Sequence, residues 1–210
     1  PHTLRAGTAT LHMTFRGELN DKLRGFYRSR FTDDDVTKHV LATTQFEATD
    51  ARRAFPCWDE PEYKAVFAIT LVVPEHVQAV SNARPVDETI HGGFRRIRFA
   101  DTMAMSTYLV AFIVGPLEFT DTIDVDGVPL RVVHTPGRGH LAGYALEAGA
   151  FALRYFADYY AIPYPGDKVD LVAIPDFAFG AMENLGCVTF RETLLLVDPQ
   201  GVVEKVAGDL

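Results

Sequence analysis

Residues 169–190 have the sequence VDLVAIPDFAFGAMENLGCVTF. Within this stretch, residues 169–174 form a short apolar run of the length typical of a buried strand, and residues 186–190 are a second strand candidate. The residues between them, 175–184, are predicted to form a loop because proline and glycine interrupt the apolar pattern. Further along, residues 194–197 are a strand candidate and residues 202–210 are a helix candidate.

The predicted loop carries one carboxylate and one carboxamide, Glu183 and Asn184, on a turn led by Gly180. Rigid folds often place binding groups on loops at strand ends. We therefore treat the segment 179–184, Phe-Gly-Ala-Met-Glu-Asn, as a candidate site. Its composition alone leaves open an ordinary surface turn with a solvated Glu183, since glutamate is mostly exposed in proteins.

A helix is predicted immediately before this unit. Residues 140–161 are rich in alanine, and Pro163 ends the pattern because the residue before a proline is pushed out of the helical region. Apolar side chains recur at helical spacing along this segment. One stripe of the helix carries Leu146, Leu153, Phe156 and Tyr160. The aromatic residues are expected to serve helix packing and not to form a cofactor site: Tyr155, Phe156, Tyr159 and Tyr160.

The first two thirds of the chain predict antiparallel strands. Gly92-Gly93 and Asp126-Gly127 are two-residue hairpin signals. Apolar residues on both faces of segment 64–73 predict a strand that is covered on both sides. We expect a mainly β region over residues 1–136 and an α/β region over residues 137–210. The strand candidates of the first region are 9–16, 36–43, 64–73, 85–91, 94–99, 106–119 and 129–134.

Composition excludes several classes of partner. The chain has 20 Lys and Arg against 28 Asp and Glu, which gives a net charge of −8 and argues against nucleic acid and against a polybasic membrane contact. The longest apolar stretch, 108–117, is too short to span a membrane. Two distant cysteines, Cys57 and Cys187, do not form a disulfide framework, so a reducing cytoplasm is expected.

A second distinctive stretch contains Thr-Gln-Phe-Glu at residues 44–47 and Asp-Ala-Arg-Arg-Ala-Phe-Pro-Cys-Trp-Asp-Glu-Pro at residues 50–61. Its arginines are predicted to pair with nearby acids, and Cys57 is predicted to be buried packing. We expect its aromatic residues to form a small core: Phe46, Phe55 and Trp58.

The two stretches together resemble the zinc aminopeptidase N family of gluzincin metallopeptidases, whose exopeptidase signature is the Gly-Ala-Met-Glu-Asn of residues 180–184. The resemblance implies a saddle-like antiparallel β domain followed by the start of a thermolysin-like catalytic domain. It also covers much of the chain in order, through residues 25–29, 44–61, 81–82, 164–165, 168–171 and 180–184.

The resemblance assigns roles to single positions. Glu183 would bind the free α-ammonium of a peptide substrate, Glu47 would share that task, and Gln45 would line the same pocket. The remaining substrate-binding candidates hold the peptide backbone in an extended pose, support the signature or form the floor of the first side-chain pocket: Gly180, Ala181, Met182, Asn184 and Phe179.

Physical chemistry agrees with a two-acid ammonium site. Carboxylates bound to a charged amine make charge-assisted hydrogen bonds that are about twice as strong as neutral ones. An internal peptide nitrogen would leave two buried acids unpaired, at a cost of roughly 3–5 kcal/mol. Because Glu47 and Glu183 come from the two predicted regions, the pocket is expected at their boundary.

The zinc motif of the family, His-Glu-x-x-His, is absent from the sequence, since none of the seven histidines is followed by Glu and then by His four positions on. His134 and His140 are expected to be ordinary surface residues. In the family, the zinc motif and the catalytic Tyr lie beyond the position of Leu210, and several more strands precede the segment 25–29. We therefore expect an internal piece of a longer enzyme, with no catalytic or metal-binding residue of its own.

Three hypotheses follow for the parent protein. The first is a zinc aminopeptidase that acts on peptides with a free N-terminus, with the remaining segments of the enzyme as partners of this chain. The second is a non-catalytic peptide-binding or scaffold relative, which would generally lack the exopeptidase signature. The third is the leukotriene hydrolase branch, which typically has Gln in place of Glu47 and Gly in place of Ala181, so the sequence favours the first.

Overall fold

Thirteen strands and two α-helices lie within the residues that the computed structural model describes, 7–33 and 35–198. In chain order the strands are β1 (Gly25–Thr32), β2 (Lys38–Gln45), β3 (Thr70–Pro74), β4 (Gln78–Ser81), β5 (Pro85–His91), β6 (Phe94–Phe99), β7 (Phe112–Gly115), β8 (Glu118–Phe119), β9 (Ile123–Val125), β10 (Val128–His134), β11 (Val169–Ile174), β12 (Ala181–Met182) and β13 (Cys187–Arg191). The helices are α1 (Gly143–Tyr160) and α2 (Glu192–Leu195).

The first sheet has the order β1-β2-β7-β4 and is antiparallel. The β1–β2 hairpin pairs Gly25 with Gln45 at one end and Thr32 with Lys38 at the other. The strand predicted at 36–43 is confirmed, two residues later than expected. Side chains of a strand alternate between its two faces, and the face of β2 that carries Leu41 is buried. Leu41 belongs to the same apolar cluster as Ile174 of β11. This face of the first sheet is therefore turned toward the strands of the second region.

A small sheet of order β3-β6-β5 is built around the predicted Gly92-Gly93 turn. Both glycines have a left-handed backbone, with φ of 58° and 81°, which is the conformation that a two-residue hairpin of this type requires. The hairpin is confirmed. All residues of β5 are exposed, so this edge strand packs through neither face, whereas the neighbouring β6 buries Ile97 and Phe99.

The mixed sheet has the order β12-β13-β11-β10-β8, and β9 pairs with β10. Its central strands β10, β11 and β13 are parallel, and every residue of β11 is buried, as expected for a strand covered on both faces. The Asp126-Gly127 hairpin is confirmed between β9 and β10. Because strands before residue 136 share this sheet with strands after it, the division at residue 136 stays a prediction.

Helix α1 confirms the predicted helix and ends where Ala161 adopts a left-handed φ of 52°, before Pro163. Leu146 and Leu153 pack against the core of the mixed sheet. The aromatic residues of α1 do pack, but against one another and not in the core. They stack on one another along a solvent-facing surface and are about half exposed or more: Phe151, Tyr155, Phe156, Tyr159 and Tyr160.

Several predicted strands are corrected by the structure. Residues 9–16 form no strand, and their apolar side chains are exposed, because no described strand pairs with them. Of segment 64–73 only the end from Thr70 enters β3, and exposed Val66 and Val72 show that one side is uncovered. A 3₁₀ turn at Thr107–Leu109 interrupts the long strand predicted at 106–119.

Near the end of the described chain, residues 192–195 form the helical turn α2, so the strand predicted at 194–197 was wrong. The helix predicted at 202–210 lies outside the described residues. None of the helices within the described ranges is both long and apolar enough to cross a membrane.

One buried cation joins the first sheet to the mixed sheet. The Lys168 ammonium donates hydrogen bonds to the carbonyl oxygens of Ser81 and Gly186, both at 2.6 Å, and to the Asp170 carboxylate at 2.7 Å. Arg131 donates to the other oxygen of Asp170 at 2.7 Å. Lys168 and Asp170 are almost completely buried, so each depends on the other for charge compensation.

Asn82 and Gly186 complete this junction. The Asn82 carboxamide donates to the carbonyl oxygens of Leu109 and Leu185 and accepts from the Ala111 amide. Gly186 has a left-handed φ of 72°, and a Cβ added there would overlap the carbonyl oxygen of Asn82. Only glycine lets the two chain segments approach this closely.

A second set of contacts ties β1 to the loop after β11. The Tyr27 hydroxyl donates to the carbonyl oxygen of Asp176 at 2.9 Å, and the Asp176 amide donates to the Ser29 hydroxyl at 2.9 Å. The Asp176 carboxylate accepts from the Arg30 amide. The start of the 175–184 loop is therefore fixed to the first sheet.

Gly186→Ala is expected to destabilise the fold by more than Gly127→Ala. Both glycines have left-handed φ, which costs an alanine about 1–2 kcal/mol. Only position 186 adds a clash with backbone, and overpacking costs about 1–3 kcal/mol more. Urea unfolding of the 210-residue chain, followed by circular dichroism, measures both variants. Equal losses of unfolding free energy in the two variants would show that the close approach of Gly186 to Asn82 does not affect stability.

Asp170→Asn is expected to lower the free energy of unfolding by about 3–5 kcal/mol, because it leaves the Lys168 ammonium buried without its counter-charge. The control is Asp87→Asn, which breaks an exposed pair with Arg96 and should cost about 0–1 kcal/mol. The same unfolding experiment at pH 7 compares them, and a loss at Asp170 no larger than at Asp87 would contradict the prediction.

The difference between wild type and Asp170→Asn is also expected to depend on pH. Burial by itself would raise the pKa of Asp170, but Lys168 and Arg131 outweigh it and hold this pKa below its usual value of 3.8. A depressed folded-state pKa stabilises the fold above the unfolded value, and the contribution is lost as the pH falls through the folded pKa. The difference in unfolding free energy should be full above about pH 4 and shrink below it. A difference that stays constant down to pH 2 would contradict this assignment.

Candidate functional site

Gln45 is the last residue of β2 and is only 2% exposed. Neither atom of its carboxamide, Nε2 or Oε1, has a hydrogen-bond partner among the described residues. Buried polar side-chain atoms are nearly always paired in native proteins, so an orphaned pair needs an explanation. A carboxamide that is buried by protein yet unpaired is suited to a polar ligand.

Glu47 follows Gln45 by two residues and lies outside the strand, with its side chain exposed. Its carboxylate makes no hydrogen bond or ion pair with the described part of the chain. Between them, Phe46 is completely buried and contacts the rings of Phe55 and Phe112 at centroid distances of 5.9 and 6.1 Å. The aromatic packing therefore holds the backbone from which Gln45 and Glu47 project.

The 175–184 loop returns along β12, the edge strand of the mixed sheet. Met182 pairs with Thr189 of β13, and the carbonyl oxygen of Gly180 accepts from the Arg191 amide at 2.9 Å. The Arg191 guanidinium also donates to the carbonyl oxygens of Phe177 and Ala178. Arg191 thus fixes the loop that leads into the signature, a role that sequence reasoning missed because these contacts are to backbone.

Residues 179–184 divide into an exposed and a buried set. Met182 is 1% exposed and packs in the core with Ile174 and Cys187, while Asn184 is 2% exposed and donates to the Thr189 hydroxyl. The exposed set consists of Phe179, Gly180, Ala181 and Glu183. The Glu183 carboxylate makes no hydrogen bond or ion pair with any residue in the described ranges.

The structure brings the neighbours of both motifs together. Phe46, adjacent to Glu47, belongs to the same apolar cluster as Leu185, which lies two residues after Glu183. Asn82 donates to the Leu185 carbonyl oxygen and so fixes this meeting from the first sheet. Two segments 136 residues apart in sequence therefore contribute to one apolar cluster. Each segment also carries an exposed carboxylate that makes no hydrogen bond or ion pair with the described residues.

The segment 50–61 is structural for the most part. Asp59 is buried, accepts from the Arg52 amide and guanidinium and from the Thr107 hydroxyl, and Arg53 pairs with Asp50, so the predicted arginine–acid pairs are confirmed. Burial alone would raise the pKa of Asp59, but the bonds from Thr107 and Arg52 lower it below its usual value.

Two details of segment 50–61 differ from the sequence prediction. Trp58 is 76% exposed and is not part of the small core, which contains Phe46 and Phe55. Cys57, predicted to be buried, is half-buried, whereas Cys187 is fully buried; both are free thiols.

The described residues do not fit a zinc centre. No group of three or more His, Cys, Asp or Glu side chains within residues 7–33 and 35–198 is placed to hold a metal ion. His134 is 3% exposed and bonded to the Thr135 carbonyl oxygen, so its expected surface position was wrong, while His140 is exposed.

Comparison with known proteins identifies relatives over nearly the whole chain. The profile of the Peptidase M1 N-terminal domain matches residues 1–109, and that of the Peptidase family M1 domain matches residues 144–207. Aminopeptidase M1-A of Oryza sativa subsp. japonica is 49% identical over 195 residues, which are 93% of this chain and 22% of that protein.

Two further relatives come from distant organisms. The puromycin-sensitive aminopeptidase of Caenorhabditis elegans is 47% identical over 95% of the chain and 21% of its own length. The alanine/arginine aminopeptidase of Saccharomyces cerevisiae is 47% identical over 91% of the chain and 22% of its own length. The chain spans about a fifth of the length of these curated relatives.

Proposed function

Since the chain belongs to peptidase family M1, we propose that it supplies the part of an aminopeptidase active site that holds the α-ammonium of a peptide substrate. Glu47 and Glu183 bind the ammonium, and the Gln45 carboxamide lines the same pocket. The observation that carries the proposal is that Phe46 and Leu185, which neighbour the two acids in sequence, share one apolar cluster, while both carboxylates lack a partner among the described residues.

The edge of the mixed sheet supports a pose for the rest of the peptide. Among the described strands, β12 pairs only with β13, so its other edge is open to an added strand in this part of the structure. An extended peptide that pairs with Gly180 and Ala181 gains main-chain hydrogen bonds without regard to its sequence. Glu183 follows β12 directly, and the amino end of the added peptide strand is placed beside it. Phe179, half exposed before this edge, is suited to contact the first side chain.

Exposure decides how strongly this chain alone can bind. Pairs between exposed charges are worth about 0.2–1 kcal/mol each, whereas removing one partner of a buried pair costs about 3–5 kcal/mol. Because Glu47 and Glu183 are exposed, the isolated chain is expected to bind an ammonium weakly. Strong selection for a free N-terminus then requires the site to be covered by substrate and by the remaining segments of the parent enzyme.

The catalytic zinc is assigned to parts of the parent protein other than the described residues, since these residues do not provide its ligands. The role proposed for the described residues is accordingly substrate positioning. A cytoplasmic location is proposed on its two free cysteines, since reducing compartments keep thiols unpaired.

The first test compares the binding of a free-amine dipeptide with the binding of its N-acetylated form. NMR titration of the 210-residue chain measures both affinities. We expect weak binding of the free amine and at least a twofold preference over the acetylated form. Glu183→Gln and Glu47→Gln should each reduce affinity about 2- to 5-fold, the effect of losing one exposed charge pair. Glu62→Gln is the control, since Glu62 is an exposed acid outside both motif stretches, 44–61 and 179–184. Equal binding of both dipeptides would refute the ammonium site.

The second test uses the complete enzyme and an aminoacyl substrate. Glu183→Gln is expected to lower kcat/KM about 10- to 150-fold, since a hydrogen bond to a charged group is worth about 1.5–3 kcal/mol once the site is covered. Glu62→Gln should leave it unchanged. An unaltered kcat/KM in Glu183→Gln would exclude this role for Glu183.

A further inference from the structure

Three orphaned polar atoms lie on two neighbouring side chains of β2. Thr43 is completely buried and Gln45 is 2% exposed, and the atoms without a partner among the described residues are Thr43 Oγ1, Gln45 Nε2 and Gln45 Oε1. The hydroxyl of Thr44, the residue between them, accepts a hydrogen bond from the Phe112 amide at 3.2 Å. The orphaned atoms are thus confined to one face of the strand, the face that Leu41 turns toward the mixed sheet.

Strand geometry puts these atoms within reach of one another. Residues two apart on a strand share a face and are separated by roughly 6.5–7 Å, which the long, flexible Gln side chain can span. On the neighbouring strand β1, Gly25 is the partner of Gln45 and has no side chain. The aliphatic part of Arg53 lies over Gly25, but the Arg53 guanidinium is paired with Asp50. Tyr27 is the partner of Thr43, but its hydroxyl is already committed to the Asp176 carbonyl oxygen.

We propose that Thr43 is a positioning residue that acts through Gln45: when a ligand ammonium is bound, Gln45 Nε2 donates to Thr43 Oγ1, and Oε1 is left to accept from the ammonium. This inference rests on the proposed ammonium site. An ammonium has donors only, so the carboxamide must present its oxygen. The opposite orientation would place the NH₂ group of Gln45 against the cation. A Thr43 hydroxyl that accepts from Nε2 favours the orientation in which Oε1 faces the ammonium.

The proposal predicts that the hydroxyl of Thr43, and not its methyl group, sets the affinity for a free amine. Thr43→Val removes the hydroxyl at nearly constant volume and should weaken binding of a free-amine dipeptide about 3- to 10-fold, the effect of one hydrogen bond. Thr43→Ser keeps the hydroxyl and should stay within twofold of wild type. The acetylated dipeptide should bind equally to wild type and both variants.

Thr44→Val is the matched control, because Thr44 is an equally buried threonine of the same strand whose hydroxyl has a structural partner. It should lower the unfolding free energy and leave dipeptide affinity unchanged. In wild type, the side-chain NH₂ resonances of Gln45 should shift and their hydrogen exchange should slow on titration with the free-amine dipeptide. This signature should be lost in Thr43→Val.

Two results would overturn the role of Thr43. One is wild-type affinity in Thr43→Val, and the other is an equal loss of affinity in Thr43→Val and Thr44→Val that follows their loss of stability. If Glu183→Gln weakens binding of the free amine while Thr43→Val does not, the ammonium site stands and only the role of Thr43 fails. If wild type does not distinguish the free from the acetylated dipeptide, both proposals fail.

Discussion

The buried ammonium of Lys168 is the contact on which the rest of the arrangement depends. It donates to a carbonyl oxygen at the end of β4, to another just before β13 and to Asp170 in β11, so one charge joins the first sheet to the mixed sheet. The close approach of Gly186 to Asn82 lies beside it. Glu47 follows a strand of the first sheet and Glu183 follows a strand of the mixed sheet. The relative position of the two carboxylates therefore depends on the contacts of Lys168 and Gly186, and neither carboxylate takes part in them.

Local chemistry made part of the fold predictable, and long-range packing made the rest unpredictable. The Gly92-Gly93 and Asp126-Gly127 hairpins, the apolar run of β11 and the end of α1 before Pro163 follow from a few adjacent residues, and the structure confirms each. Segment 9–16 has the alternation of a strand but remains exposed, because alternation shows which residues could pair and does not supply a partner.

The residues of the candidate site could be predicted from the sequence, but their burial and hydrogen bonding could be predicted only in part. The motifs named Gln45, Glu47 and Glu183, and packing of their neighbours brings the two stretches together. The orphaned carboxamide of Gln45 and the uncommitted hydroxyl of Thr43 could not be read from sequence, since they depend on what covers one face of β2. The motif residues Asn82, Lys168 and Asp170 prove to be structural, because their polar atoms are used within the junction.

The exposed position of Trp58 has a practical spectroscopic consequence. It is the single tryptophan of the chain and is 76% exposed, so its indole already faces water in the folded state. Its emission will change little when the core melts, and intrinsic fluorescence is a poor monitor of denaturation. The same indole is instead a natural optical reporter of whatever comes to rest on the 50–61 segment, since burial of an exposed ring shifts its emission to shorter wavelength.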